Sequence, residues 1–81
     1  MKLPNDLNGV ELAKLLSNYG YSITRQTGSH IRLSTQASGE HHITIPTHNP
    51  LRIGTLASIL SDIANHFNIS KEQLYTELFK Q

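Results

Sequence analysis

An 81-residue chain with 7 Lys plus Arg, 6 Asp plus Glu and 5 His has a net charge of +1, so charge alone selects no polyanionic partner. The absence of cysteine excludes disulfide frameworks, thiolate zinc sites and thiol catalysis. With 37% hydrophobic residues, no apolar run near the about 20 residues of a membrane span and a start too polar for a secretory signal, the expectation is one small domain over residues 1–81, soluble and cytoplasmic, with no membrane partner.

The first predicted element is a helix from about Gly9 to Tyr19. Asn8 is its N-cap, and Glu11 falls where a capping box needs it. Leu12, Leu15, Leu16 and Tyr19 form one apolar stripe, and Gly20 suits the left-handed position that ends a helix. A strand follows over Tyr21–Thr27, with Tyr21 and Ile23 expected to face the core. Gly28-Ser29 breaks it. The second strand is His30–Thr35 and the third His41–Pro46, joined by a loop centred on Ala37-Ser38-Gly39.

The register of the last two strands follows from the loop. Five residues, Gln36 to Glu40, pair Thr35 with His41, Leu33 with Ile43 and Ile31 with Ile45. All the aliphatic side chains then share one face, and a slip of one residue would scatter them. His30, Arg32, Ser34, His42 and Thr44 occupy the opposite, solvated face. His30 stands opposite Pro46, which brings His48 toward it as the chain leaves the sheet.

A second helix begins with Thr55 as its expected N-cap. Leu56, Ile59, Leu60, Ile63 and Phe67 hold the helical spacing, and Asn68 ends it. Ser70-Lys71-Glu72-Gln73 has the form of another capping box, opening a short third helix that turns Leu74 and Leu78 inward. The predicted architecture is α+β, in the order α-β-β-β-α plus a short C-terminal helix. Its helices cover one face of a small three-stranded antiparallel sheet.

Four of the five histidines lie between residues 30 and 48, and residues 1–53 carry five basic against three acidic side chains. Within that half, Arg25-Gln26-Thr27-Gly28-Ser29-His30 gathers a glycine that lets a ligand approach the backbone, a serine and an arginine that hold phosphate, and a histidine that moves a proton near neutral pH. Arg32 follows on the same face. The adjacent His41 and His42 point to opposite faces and cannot share one ion. With no cysteine and no carboxylate at ligand spacing, neither a metal nor a small-molecule cofactor is expected.

The stretches Lys2-Leu3-Pro4, Tyr19-Gly20-Tyr21, Arg25-Gln26-Thr27-Gly28-Ser29-His30, Ile43-Thr44-Ile45-Pro46-Thr47-His48 and Gly54-Thr55-Leu56-Ala57-Ser58-Ile59-Leu60 resemble, in order and spacing, the HicA (YcfA-like) toxin family. The resemblance covers residues 2–61. It implies a fold like the double-stranded-RNA-binding domain and an mRNA-cleaving toxin held inactive by a HicB-type antitoxin. It also implies that His30 of the G-S-H motif is the catalytic residue and that His48 matches the family's later histidine. Arg25, Gly28, Ser29, Arg32 and His48 are then the residues expected to contact RNA. The second helix departs from the family pattern, because Ser61–Asn68 continues the helix where a glycine turn is usual.

Each of these residues also has a plainer reading. Arg25 is then a solvated strand-end charge, Arg32 a cross-strand partner of Thr44, His48 a cap on the turn before Pro50, and His66 a cation at a helix C-terminus. Two further functions compete with a ribonuclease: a non-catalytic RNA-binding module, or an inactive toxin homologue, and a domain that binds only protein.

Overall fold

A computed structural model describes residues 2–79; Met1, Lys80 and Gln81 lie outside the described residues. The elements run α1 (Gly9–Leu16), β1 (Ser22–Gln26), β2 (His30–Thr35), β3 (His41–Pro46), α2 (Ile53–Phe67) and α3 (Lys71–Phe79). The fold is α+β, with one open antiparallel sheet in the order β1-β2-β3. No helix among the described residues is long and apolar enough to cross a membrane.

Local chemistry explains most of the boundaries. Asn8 Oδ1 accepts from Glu11 N at 2.8 Å and Glu11 Oε1 accepts from Asn8 N at 3.0 Å, which completes the predicted capping box. α1 ends at Leu16, three residues earlier than expected, because Ser17–Tyr19 tightens into a 3₁₀ turn. Gly20 then takes φ +82°, a conformation that a side chain would oppose; a Cβ there would also lie 2.8 Å from Thr35 Oγ1. α2 starts at Ile53 rather than after Thr55, and its N-cap, Arg52, makes no side-chain capping bond. The reason is the anchoring of the preceding residue. Leu51 is buried and its N–H donates to Leu7 O at 2.7 Å, so the chain enters the helix directly. At α3, Ser70 Oγ accepts from Gln73 N, but the Gln73 amide donates to Glu77 instead of closing a box.

β2 and β3 pair in the predicted register, with His30 opposite Pro46 and Thr35 opposite His41. Ile31, Leu33, Ile43 and Ile45 are all buried against Leu12, Leu16, Leu56, Leu60 and Ile63 of the helices. Arg32 and Thr44, which alternate with them, are exposed on the other face. Leu74 and Leu78 of α3 join the core as expected.

β1 departs from its simple alternation. Its pairing with β2 shifts register between Ile23 and Arg25, leaving Thr24 as the extra residue of a β-bulge. Ile23 stands opposite Leu33, on the core side, but is 52% exposed. The expectation that it packs in the core is therefore corrected. β1 lies at the edge of the sheet, and α1 leaves Ile23 uncovered.

Candidate active site

The exposed face of the sheet carries the residues singled out from the sequence. Bulging at Thr24 sets Arg25 directly opposite Arg32. Arg32 lies between buried Ile31 and Leu33 and so points away from the core; Arg25, its ladder partner, shares that face. Without the bulge, Arg25 would follow Ile23 onto the core side. Two guanidiniums directly opposed on a sheet repel each other. Among the described residues the two ion pairs are both His–carboxylate pairs, so neither arginine has an acidic partner. An anion such as phosphate is the ligand that this arrangement fits.

His30 begins β2, two residues before Arg32 on the same face, and is exposed. Its Nδ1 lies 2.9 Å from Ser29 Oγ. When Nδ1–H donates to Ser29, Nε2 keeps its lone pair and can accept a proton. When the Ser29 hydroxyl donates, Nε2 carries a proton to give. No protein group bonds Nε2 among the described residues, so this nitrogen is free for a ligand.

The turn that carries His30 is braced from both sides. Thr27 N donates to His30 O at 2.9 Å, and Thr27 Oγ1 accepts from His30 N at 3.1 Å. Just past β3, Thr47 N donates to Ser29 O at 3.0 Å and Thr47 Oγ1 to Gly28 O at 3.1 Å. Nothing lies within 4 Å of where a Gly28 Cβ would be, so the outer side of the turn is open. His48 follows Thr47 and is exposed. Its carbonyl accepts from Gly9 N at 3.3 Å, and its ring forms no hydrogen bond to His30 or any other described residue. The structure thus groups Arg25, Gly28, Ser29, His30 and Arg32 along one face and its turn, while the His48 backbone is tied to the start of α1.

The other histidines divide as their alternation requires. On the exposed face, His42 Nδ1 lies 2.5 Å from Ser34 Oγ and its Nε2 lies 2.6 Å from Glu40 Oε2, extending the polar stripe away from His30. On the core side, His41 Nε2 lies 3.2 Å from Asp62 Oδ1 and its Nδ1 lies 2.7 Å from the hydroxyl of buried Tyr21. With Nε2–H donating to Asp62, Nδ1 accepts from the phenol. Burial, and secondarily the Asp62 charge, push the Tyr21 hydroxyl up to about 12. The His41 ring stacks on His66, centroids 4.4 Å apart, and His66 Nε2 donates to Ala37 O at 2.9 Å. His66 therefore ties α2 to the β2–β3 loop. Among the described residues no group of three His, Cys, Asp or Glu side chains has the geometry to hold a metal.

Sequence reading missed Thr24, Thr27 and Thr47, which shape the strand and the turn that carry the site residues. Thr27 carried the one available signal: a threonine just before Gly-Ser is a hydroxyl placed to accept the amides of its own turn.

The family model described as the HicA toxin of bacterial toxin–antitoxin systems matches residues 9–64, from the start of α1 into the last part of α2. That span includes every side chain of the exposed site. Nothing among the curated proteins or the solved structures matches the chain. The match covers well over half of the 81 residues, and the chain belongs to the HicA family of toxins of bacterial toxin–antitoxin systems.

Proposed function

We propose that this toxin is a metal-independent endoribonuclease that cleaves mRNA in the cytoplasm and is neutralised by a HicB-type antitoxin. The observation that carries the reading is His30: an exposed imidazole with Nδ1 held by Ser29 and, among the described residues, Nε2 free, beside two arginines that lack acidic partners among those residues.

RNA supplies its own nucleophile. The base, His30 Nε2, takes the 2′-hydroxyl proton, and that oxygen bonds to the adjacent phosphorus. The bond from phosphorus to the 5′-oxygen breaks, and the leaving oxygen takes a proton from solvent water, while His30 later returns the proton it took to solvent. The products are a 2′,3′-cyclic phosphate and a 5′-hydroxyl. Arg25 and Arg32 hold the phosphate and neutralise charge developing on its free oxygens. Ser29 orients the imidazole, and the open side of Gly28 lets the RNA backbone come close. His48 is a further RNA contact at the rim. Since the nucleophile is the substrate's own hydroxyl, no metal-bound water is required.

The test has two parts. Expressing the chain alone arrests growth, and the purified chain cleaves single-stranded RNA in the presence of EDTA. His30→Ala relieves the arrest and lowers cleavage by at least about a hundred-fold, while the variant stays folded. An alanine variant as active as the parent removes His30 from the mechanism. RNA binding without cleavage by the parent chain would make it a binding module instead.

A further inference from the structure

The core stripe of α1 leaves a second stripe beside it. Val10, Ala13 and Lys14 recur at i, i+3 and i+4 and flank a groove of about 410 Å³. Ile23 of β1 forms the opposite wall, and Tyr21 and Leu33 form the floor. Among the described residues three large hydrophobic side chains are exposed, and two of them, Val10 at 46% and Ile23 at 52%, stand on this groove. Contiguous apolar surface rimmed by charge marks an interaction site more often than chance exposure does.

The backbone beside the groove is also unpartnered. β1 pairs with β2 on one side only, so its outer N–H and C=O groups face no strand. Such an edge accepts an added strand, with main-chain hydrogen bonds giving affinity and alternate side chains giving selectivity. At the bulge the two faces of this edge differ in chemistry. Ile23 lies on the groove side, whereas Arg25, opposite Arg32, lies on the exposed face. Lys14 adds a third positive charge at the groove rim, and none of the three has an acidic partner among the described residues.

We propose that this groove and strand edge are the docking surface of the antitoxin, and that the occupant is an extended segment of alternating apolar and acidic residues. Its apolar side chains enter the groove against Val10 and Ile23. Its acidic side chains fall over Arg25 and Arg32, where they occupy the phosphate positions. Docking then blocks RNA electrostatically without requiring a contact to His30. The bulge and the exposed arginine keep other strands from pairing here, and an acidic strand turns that repulsion into selectivity. The inference rests on the reading of this chain as a toxin held by an antitoxin.

The experiment co-expresses the full chain with a HicB-type antitoxin and measures affinity for the parent, Ile23→Glu and Lys14→Glu. His30 and the five residues assigned to RNA contact, Arg25, Gly28, Ser29, Arg32 and His48, are left intact in these variants, so the free proteins cleave RNA at the parent rate and report their own folding. The expected result is binding weakened at least about ten-fold by each substitution, together with slowed exchange of the β1 amides in the parent complex. Parental affinity in both variants overturns the proposal while leaving the antitoxin reading intact. Weakened binding with no slowing of the β1 amides overturns the added strand. A free chain that dimerises through Ile23 makes a second copy the occupant and overturns it as well. A parent chain that binds no antitoxin overturns the toxin–antitoxin reading and this surface with it.

Discussion

Arg25 stands directly across from Arg32 in the β1–β2 ladder, with no carboxylate to separate them among the described residues. The pairing exists because Thr24 is an extra residue in β1, and it gathers positive charge next to His30 in a chain whose net charge is only +1. Local placement of charge, more than total charge, makes a phosphate site.

Removing either guanidinium should therefore separate stability from binding. Arg25→Ala and Arg32→Ala each relieve cross-strand repulsion and raise stability by up to about 0.5 kcal/mol. Each also lowers RNA affinity and reduces the slope of log affinity against log salt by about 0.7 per lost phosphate contact on single strands. Binding titrations at several salt concentrations check this. A slope unchanged in both variants would mean that RNA does not lie across this pair.

Thr27 is expected to act on cleavage through His30. Its hydroxyl accepts from the amides of His30, at 3.1 Å, and Ser29, at 3.4 Å. Thr27→Val keeps the shape and removes those bonds, at a cost of about 1 kcal/mol. The turn loosens and kcat falls about ten-fold, with KM little changed because the phosphate contacts remain. Thr27→Ser restores the rate. Equal losses in the serine and valine variants would contradict a role for the hydroxyl.

The limits of legibility have a common cause. Ile31, Leu33, Ile43 and Ile45 admit one register across a five-residue loop, so the hairpin and the exposure of His30 and Arg32 could be read directly. Asn8 and Glu11 likewise announce α1 locally. Alternation does not register an inserted residue, so nothing in the sequence marks the Thr24 bulge; the motif alone marks Arg25 as a site residue but not the pairing that sets it opposite Arg32. The exposure of Ile23 depends on how far α1 reaches across the sheet. The hydrogen-bonded series from Asp62 through His41 to Tyr21 joins α2, β3 and the residue just before β1, and no spacing rule links residues so far apart.

Gly9 is a packing requirement where α1 meets the end of β3. A Cβ there would lie 2.4 Å from Pro46 O and 3.3 Å from Ile45 Cγ2. Gly9→Ala is expected to destabilise the fold by about 1–3 kcal/mol and to lower Tm by at least about 4 °C. Pro46 lies opposite His30, so RNA cleavage falls too. Gly54→Ala is the contrast. Nothing lies within 4 Å of its Cβ position in α2, and alanine there is neutral or stabilising. Thermal melts of the two variants check the pair, and equal Tm values would refute the close approach at Gly9.

Tyr21 gives the fold a limit at high pH. Its hydroxyl is pushed from 10.0 up to about 12, first by burial and then by the Asp62 charge, and it donates to His41 Nδ1. A raised value means that the folded chain holds this proton after the unfolded chain has lost it. The stabilisation is complete below pH 10 and disappears as pH rises to about 12. The loss across that range is on the order of a few kcal/mol. Tyr21→Phe loses about 1 kcal/mol at neutral pH with the hydrogen bond, but it has no phenol to ionise. Urea unfolding from pH 8 to 12 should show the parent losing stability more steeply, until the phenylalanine variant is the more stable of the two. Parallel curves would show that the phenol does not ionise on unfolding, and the alkaline limit would then belong to other groups.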